Sequence, residues 1–111
     1  MPADSDEIKR RELLARTAIR RAFEADKEEV STALFVSHHM AELEPDYWLR
    51  HVSVERPQPS VVLDLLQLRS HWGGEAELEN FDFTLPEDVT NYVICVRFDE
   101  AGEVSEVAME S

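Results

Sequence analysis

The stretch Tyr92-Val93-Ile94-Cys95-Val96-Arg97-Phe98-Asp99-Glu100-Ala101-Gly102-Glu103-Val104 decides the fold. Its first seven residues are rich in β-branched and aromatic side chains, which suit a pleated, half-buried strand. Asp99-Glu100-Ala101-Gly102 follows, and its final glycine can adopt the left-handed conformation that closes a type I turn with a bulge. Residues 104–109 form another β run, so the whole reads as a hairpin. Alternation sends Ile94, Val96 and Phe98 to one face and Cys95 and Arg97 to the other.

Upstream, Phe81, Phe83 and Leu85 alternate with Asn80, Asp82 and Thr84, and Leu66, Leu68 and Trp72 begin one more strand. Gly73-Gly74 and residues 86–91 are the intervening turns. Before Leu66 the period changes from two to 3.6 residues. From Asp6 to about Ala25, Ile8, Ala15, Ala18, Ile19, Ala22 and Phe23 share one helical face, and Lys9, Arg16 and Arg20, flanked by Arg10 and Arg21, take the other. A second helix is expected over about 26–43, with Val30, Ala33, Leu34, Val36, Met40 and Ala41 buried and Glu28, His39 and Glu42 opposite. Phe35 breaks this pattern: either the helix packs on two sides or Phe35 is exposed. Pro45 disfavours helix at Glu44 and marks the end. Residues 47–54 are aromatic and ambiguous, and Arg56-Pro57-Gln58-Pro59 reads as an extended linker. Ser60 suits the N-cap of a short helix through Val61, Val62, Leu65 and Leu66. The expected class is α+β: two N-terminal helices plus a short third helix on one face of a four-stranded antiparallel meander. One domain over 1–111 is expected, with residues 1–5 disordered.

Twenty-four Asp and Glu against 11 Lys and Arg give a net charge of −13. Residues 1–25 hold six bases and five acids, whereas 26–111 hold five bases and 19 acids. An acidic body argues against nucleic acid as a partner, since phosphate affinity needs clustered cations, and favours a basic protein partner or simply solubility. The N-terminus lacks a basic start and an apolar run, and no 18-residue uncharged apolar segment occurs, so a cytoplasmic location without membrane association is expected. Cys95 is the only cysteine, which rules out an intramolecular disulfide.

The run Asn91-Tyr92-Val93-Ile94-Cys95-Val96-Arg97-Phe98-Asp99, then Gly102-Glu103-Val104 and the close Met109-Glu110-Ser111, resembles a family of small acidic bacterial proteins catalogued only as a domain of unknown function. His38-His39-Met40-Ala41-Glu42-Leu43 and Phe81-Asp82-Phe83 share the likeness. The resemblance implies a single cytoplasmic α+β domain and supplies no activity.

The best chemical cluster is His38, His39 and Glu42, because a carboxylate one turn from an imidazole could hold a metal or tune a general base. Metalloprotease helices separate their two histidines by one turn, whereas consecutive histidines point about 100° apart. No metal and no cofactor is therefore expected. His51 and His71 could join a site only through tertiary contacts. Cys95, inside a β run, suits packing better than nucleophilic attack. Arg97 is expected to pair with Asp82 or Glu106, or to anchor a carboxylate ligand. Glu75, Glu77 and Glu79 would line one side of an extended, solvated edge. Tyr47, Trp48 and Trp72 could line a small pocket, with core packing the default. The basic helix face could dock on the acidic sheet of its own chain or of a second copy.

These signs favour a non-enzymatic acidic protein-interaction module, of inhibitor or immunity type as one concrete form. Its expected docking surface is the acidic sheet face with Asp82, Glu103 and Glu106, and Phe35 with His38 and His39 is the next surface to test. A small hydrolase or metal-dependent enzyme using His38, His39 and Glu42 is one alternative. A ligand-binding homodimer formed through the open sheet face is the other.

Overall fold

The computed structural model describes residues 5–25, 31–74 and 77–110. Four helices precede and lead into a meander: α1 (Ser5–Ala25), α2 (Ser31–Glu42), α3 (Pro45–Val52), α4 (Pro59–Leu65), β1 (Gln67–Trp72), β2 (Asn80–Thr84), β3 (Val93–Phe98) and β4 (Val104–Glu110). The four strands pair antiparallel in the order β1-β2-β3-β4. The expected α+β architecture is therefore the observed one, with α3 added where the sequence was ambiguous. Helix α1 begins at Ser5, and residues 1–4, 26–30, 75–76 and 111 lie outside the described residues, as do the expected roles of Glu28, Val30 and Glu75.

Alternation works as expected on the hairpin strands. Phe81, Phe83, Ile94, Val96 and Phe98 are all buried against the helices. Register places Phe81 opposite Val96 and Phe83 opposite Ile94, so their side chains stack across two strands as one apolar layer. The turn between β3 and β4 closes as its glycine predicts. Gly102 has φ +80° and donates its N–H to Asp99 O at 3.0 Å, while Asp99 Oδ1 accepts from the N–H of Ala101 and of Glu103. A Cβ on Gly102 would meet only the movable ends of Arg10 and Arg11, so it is the left-handed conformation that calls for glycine here.

Three local expectations are corrected. Helix α2 is rolled from its expected face: Thr32, Phe35, Val36 and His39 are buried, while Leu34 is 47% exposed and Ala41 faces outward. A large ring reaches the sheet more deeply than Leu34, and the polar members of this stripe include a histidine that finds hydrogen bonds inside. Phe35 is fully buried and is a core residue, not a docking one. Helix α4 is capped by Gln58 with Pro59 in its first turn, so Ser60 lies within the helix. Around Glu77 and Glu79 the chain turns, with Glu77 at φ +59° and Leu78 buried between them, so no extended acidic edge forms there.

Helix α1 is fastened by arginines that flank its apolar stripe. Arg11 donates to Leu78 O at 2.8 Å and lies over the Phe98 ring, and Arg16 donates to Leu66 O at 2.9 Å and lies over the Phe83 ring. Their aliphatic stems cover the core rim while their heads satisfy carbonyls at strand and helix ends. The basic helix thus docks on its own sheet, through carbonyls and ring faces instead of carboxylates.

Candidate interaction surface

The proposed histidine cluster is split by the roll of α2. His39 is buried, with Nδ1 2.7 Å from Phe35 O and Nε2 2.8 Å from Thr90 Oγ1. A carbonyl only accepts, so Nδ1 carries the proton and the Thr90 hydroxyl donates to Nε2 when the ring is neutral. Burial lowers the pKa of this imidazole and keeps it neutral. Both nitrogens are occupied, which leaves neither for a metal or for proton transfer to a substrate. His38 packs edge-on against Tyr92, and Glu42 is exposed. Among the described residues no group of three or more His, Cys, Asp or Glu is arranged to hold a metal ion, and no helix is long and apolar enough to cross a membrane.

A second polar cluster forms where α3 meets the turn after β2. Glu87 accepts from Arg50 Nη1 at 2.7 Å and from His51 Nε2, and Arg50 followed by His51 holds its carboxyl below the usual range. Beneath them the Tyr47 hydroxyl donates to Pro86 O at 2.9 Å, and burial pushes that phenol up to about 12. Glu87 and Asp88 both have positive φ, +72° and +57°. The cluster therefore clamps a strained turn. Tyr47 and Trp48 are core residues, and Trp72 lies on the opposite side of the sheet, so the three share no pocket.

The outer sheet face carries the remaining candidates. Register sets Trp72, Asn80, Arg97 and Glu106 in one row across the sheet and Ser70, Asp82, Cys95 and Ala108 in the next. Cys95 and Asn80 are buried there although they lie outside the helix-side core, because longer neighbours lean over them. Cys95 Sγ lies 3.7 Å from Asn80 Oδ1. Burial first, then the neighbouring Asp82 carboxylate, pushes the thiol up to about 12, against the weaker pull of Arg97. Such a thiol is a packing group and not a nucleophile. The Trp72 indole N–H donates to Asp82 Oδ2 at 3.0 Å, whereas Asp82 Oδ1 is shielded and has no hydrogen-bond partner. Asp82 is thus not a presented surface charge, as the sequence had suggested. Arg97 pairs with Glu106 at 3.5 Å and donates to Asn80 Oδ1 at 3.4 Å, so of the two expected acids it takes Glu106. A cavity of about 580 Å³ beside this row is lined by Arg69, Asp82, Asn91, Val93 and Glu110.

At the end of the sheet where both Gly-bearing turns lie, Glu79, Asp99 and Glu100, together with Arg11 and Arg97, line a groove of about 500 Å³ that also reaches Leu78 and Phe98. Glu103 is exposed at the start of β4 nearby. Arg69 and Glu110 were not singled out in the sequence as surface residues, and Trp72 was grouped with Tyr47 and Trp48 instead of with this face. Strict alternation would send Arg69 and Trp72, three positions apart, to opposite faces, and only the bulge between Leu68 and Ser70, which the sequence does not announce, brings both to the outer face.

The geometry defines a helix-backed antiparallel meander with one uncovered, charged face. Compared with known proteins, the chain matches no family model, no curated protein and no solved structure.

Proposed function

We propose that the protein is a non-enzymatic, acidic protein-interaction module, with an inhibitor or immunity role as one concrete form. One observation supports this reading above the others: the separation of charge. Four of the six α1 cations are engaged within the chain, Arg10 and Arg11 with Glu7, Arg16 with Glu12 and Arg20 with Asp64, while Lys9 and Arg21 are exposed. The acids Glu79, Asp99 and Glu100, by contrast, stand exposed along the open groove at the sheet end, Glu103 is exposed in the same turn region, and Glu106 is exposed but paired with Arg97. Acids outnumber the two bases, Arg11 and Arg97, around this partly apolar groove, and that surplus attracts a basic protein at long range and gives it a place to bury side chains. The reading takes the module to act in the cytoplasm, where a lone buried thiol stays reduced. The resemblance of the C-terminal hairpin to small acidic bacterial proteins accords with it.

The test is kinetic. A stoichiometric partner is isolated from native lysate, and its association rate is measured from low to high salt for wild type, Glu103→Lys and Glu106→Lys. The reading expects a rate that falls steeply with salt and falls again in each reversal. A rate indifferent to salt and to both reversals overturns the acidic surface as the docking site.

A further inference from the structure

The outer face of the sheet is polarised from edge to edge. On edge strand β1 it presents Arg69 and the half-exposed Trp72, and on edge strand β4 it presents Glu106 and Glu110. Between them the central strands present Asn80 and Asp82 on β2 and Cys95 and Arg97 on β3, and one row, Ser70, Asp82, Cys95 and Ala108, has only short side chains. Arg69 and Glu110 line the same cavity, yet neither makes a side-chain ion pair among the described residues. Such a face is self-complementary. A two-fold axis lying along the strands, in the plane between two such sheets, lays β1 of one copy over β4 of the other and does the same in reverse.

We infer that the occupant of this face is a second copy of the same chain, in a sheet-on-sheet dimer that sets Arg69 of each copy against Glu110 of the other and Trp72 against the strand that carries Glu106. Rows are preserved by such an axis, so Arg69 comes over the Ala108 and Glu110 end of the facing β4. Arg97 comes over the facing Asn80, beside Asp82. Every base on the face then meets an acid or an amide, and the short side chains of the row Ser70, Asp82, Cys95 and Ala108 allow close approach there. Aligned sheets pack about 10 Å apart at about −30°, which a two-fold axis accommodates.

Area sets how tightly two such faces can hold. Four strands about 4.8 Å apart and six residues long at about 3.3 Å each make a patch about 19 by 20 Å, a flat footprint of about 380 Å² per copy and about 760 Å² over two, below the roughly 1,200 Å² at which stable specific interfaces begin. The dimer is therefore weak and reversible, with dissociation in the micromolar to millimolar range. The −13 charge on each copy opposes encounter at low salt, so the experiment belongs at moderate ionic strength. The inference is independent of the basic partner proposed above, whose groove lies at the end of the sheet.

Sedimentation equilibrium on the whole chain, from about 10 μM to about 1 mM protein in about 150 mM salt, reads the outcome. The mass rises from 12.8 kDa toward twice that value. Arg69→Glu and Glu110→Arg each weaken dimerisation by about tenfold or more, and the double reversal Arg69→Glu with Glu110→Arg returns it to within about threefold of wild type. Amide chemical shifts of wild type alone, followed over the same concentrations, move at Ser70, Cys95 and Ala108 and stay fixed on α1. A mass of 12.8 kDa at every concentration overturns the inference, as does a dimer indifferent to the single reversals. Single reversals that weaken the dimer without rescue in the double variant also overturn it, and shifts confined to β4 would mean edge-to-edge pairing instead.

Discussion

At the scale of single residues, His39 shows how a polar group becomes structural. It is 1% exposed, and its two nitrogens join α2 to the turn before β3 through Phe35 O and Thr90 Oγ1. Because burial lowers its folded pKa, the unfolded chain binds a proton more readily. Stability contributed by neutral His39 is therefore present above about pH 6.5 and is lost as pH falls below it toward the folded pKa. Chemical denaturation at pH 7.5 and 5.5 should show wild type losing stability on acidification, with His39→Gln losing less. At pH 7.5 that variant should cost about 1–3 kcal/mol, because it orphans a buried partner. Cys95 gives a second expectation: its thiol, pushed up to about 12 and closed off from solvent, reacts with a bulky thiol reagent only as fast as the protein opens. Cys95→Ser should cost less than about 1 kcal/mol, since Asn80 Oδ1 is at hand to accept from the new hydroxyl. The burial of Cys95 was legible from its β run. That of His39 was not, because its partner Thr90 is 51 positions away and only the tertiary fold supplies it.

At the scale of elements, the strands were legible and the helix faces only partly so. A two-residue period tolerates no ambiguity of face, and β2 and β3 turned their aromatic rows inward as expected. A helix can roll, and α2 did so by enough to exchange Leu34 for Phe35, since its short apolar-rich sequence has no single dominant stripe. The long helix α1 is fixed by its arginines as well as by Ala15 and Ile19. Arg11→Ala removes a bond to Leu78 O and the cover of Phe98, and Arg16→Ala does the same at Leu66 O and Phe83. Each should cost about 1–2 kcal/mol in thermal or denaturant unfolding, more than an exposed ion pair is worth. Glu7 belongs to the same device. Hydrogen bonds from Arg10 first, then Arg11, hold its carboxyl at about 2, so its support of α1 is present above about pH 4.5 and fades as pH falls toward 2. The stability difference between wild type and Glu7→Gln should therefore be largest near neutrality and close up below pH 3. A difference unchanged across that range would show that the ion pairs do not tie α1 down.

At the scale of the whole molecule, the −13 charge sits on a body of 44 × 28 × 21 Å. At about 10 mM salt the screening length is about 30 Å, so every exposed carboxylate repels most of the others, while at about 150 mM it is about 8 Å and repulsion becomes local. Folding brings these charges together, and self-repulsion lowers stability when screening is weak. Opposing this are the ion pairs of α1, which salt weakens. They join neighbours such as Glu7 with Arg10 and Glu12 with Arg16 at 2.9 Å, well inside either screening length, so they lose less than the long-range repulsion does. The balance favours stabilisation by salt. Raising salt from about 10 to about 150 mM should lift Tm by about 2–4 °C in dilute protein, as about 0.5 kcal/mol would in a domain of this size. Glu100→Lys, in an exposed turn, should raise Tm at low salt and shrink the salt increment, whereas Arg97→Glu should do the reverse. Differential scanning fluorimetry across the salt series checks both. A Tm that falls with salt in wild type, or Glu100→Lys matching wild type at low salt, would mean that local pairs set the stability. The surplus of acids would then be neutral for the fold, leaving its influence to the encounter with partners.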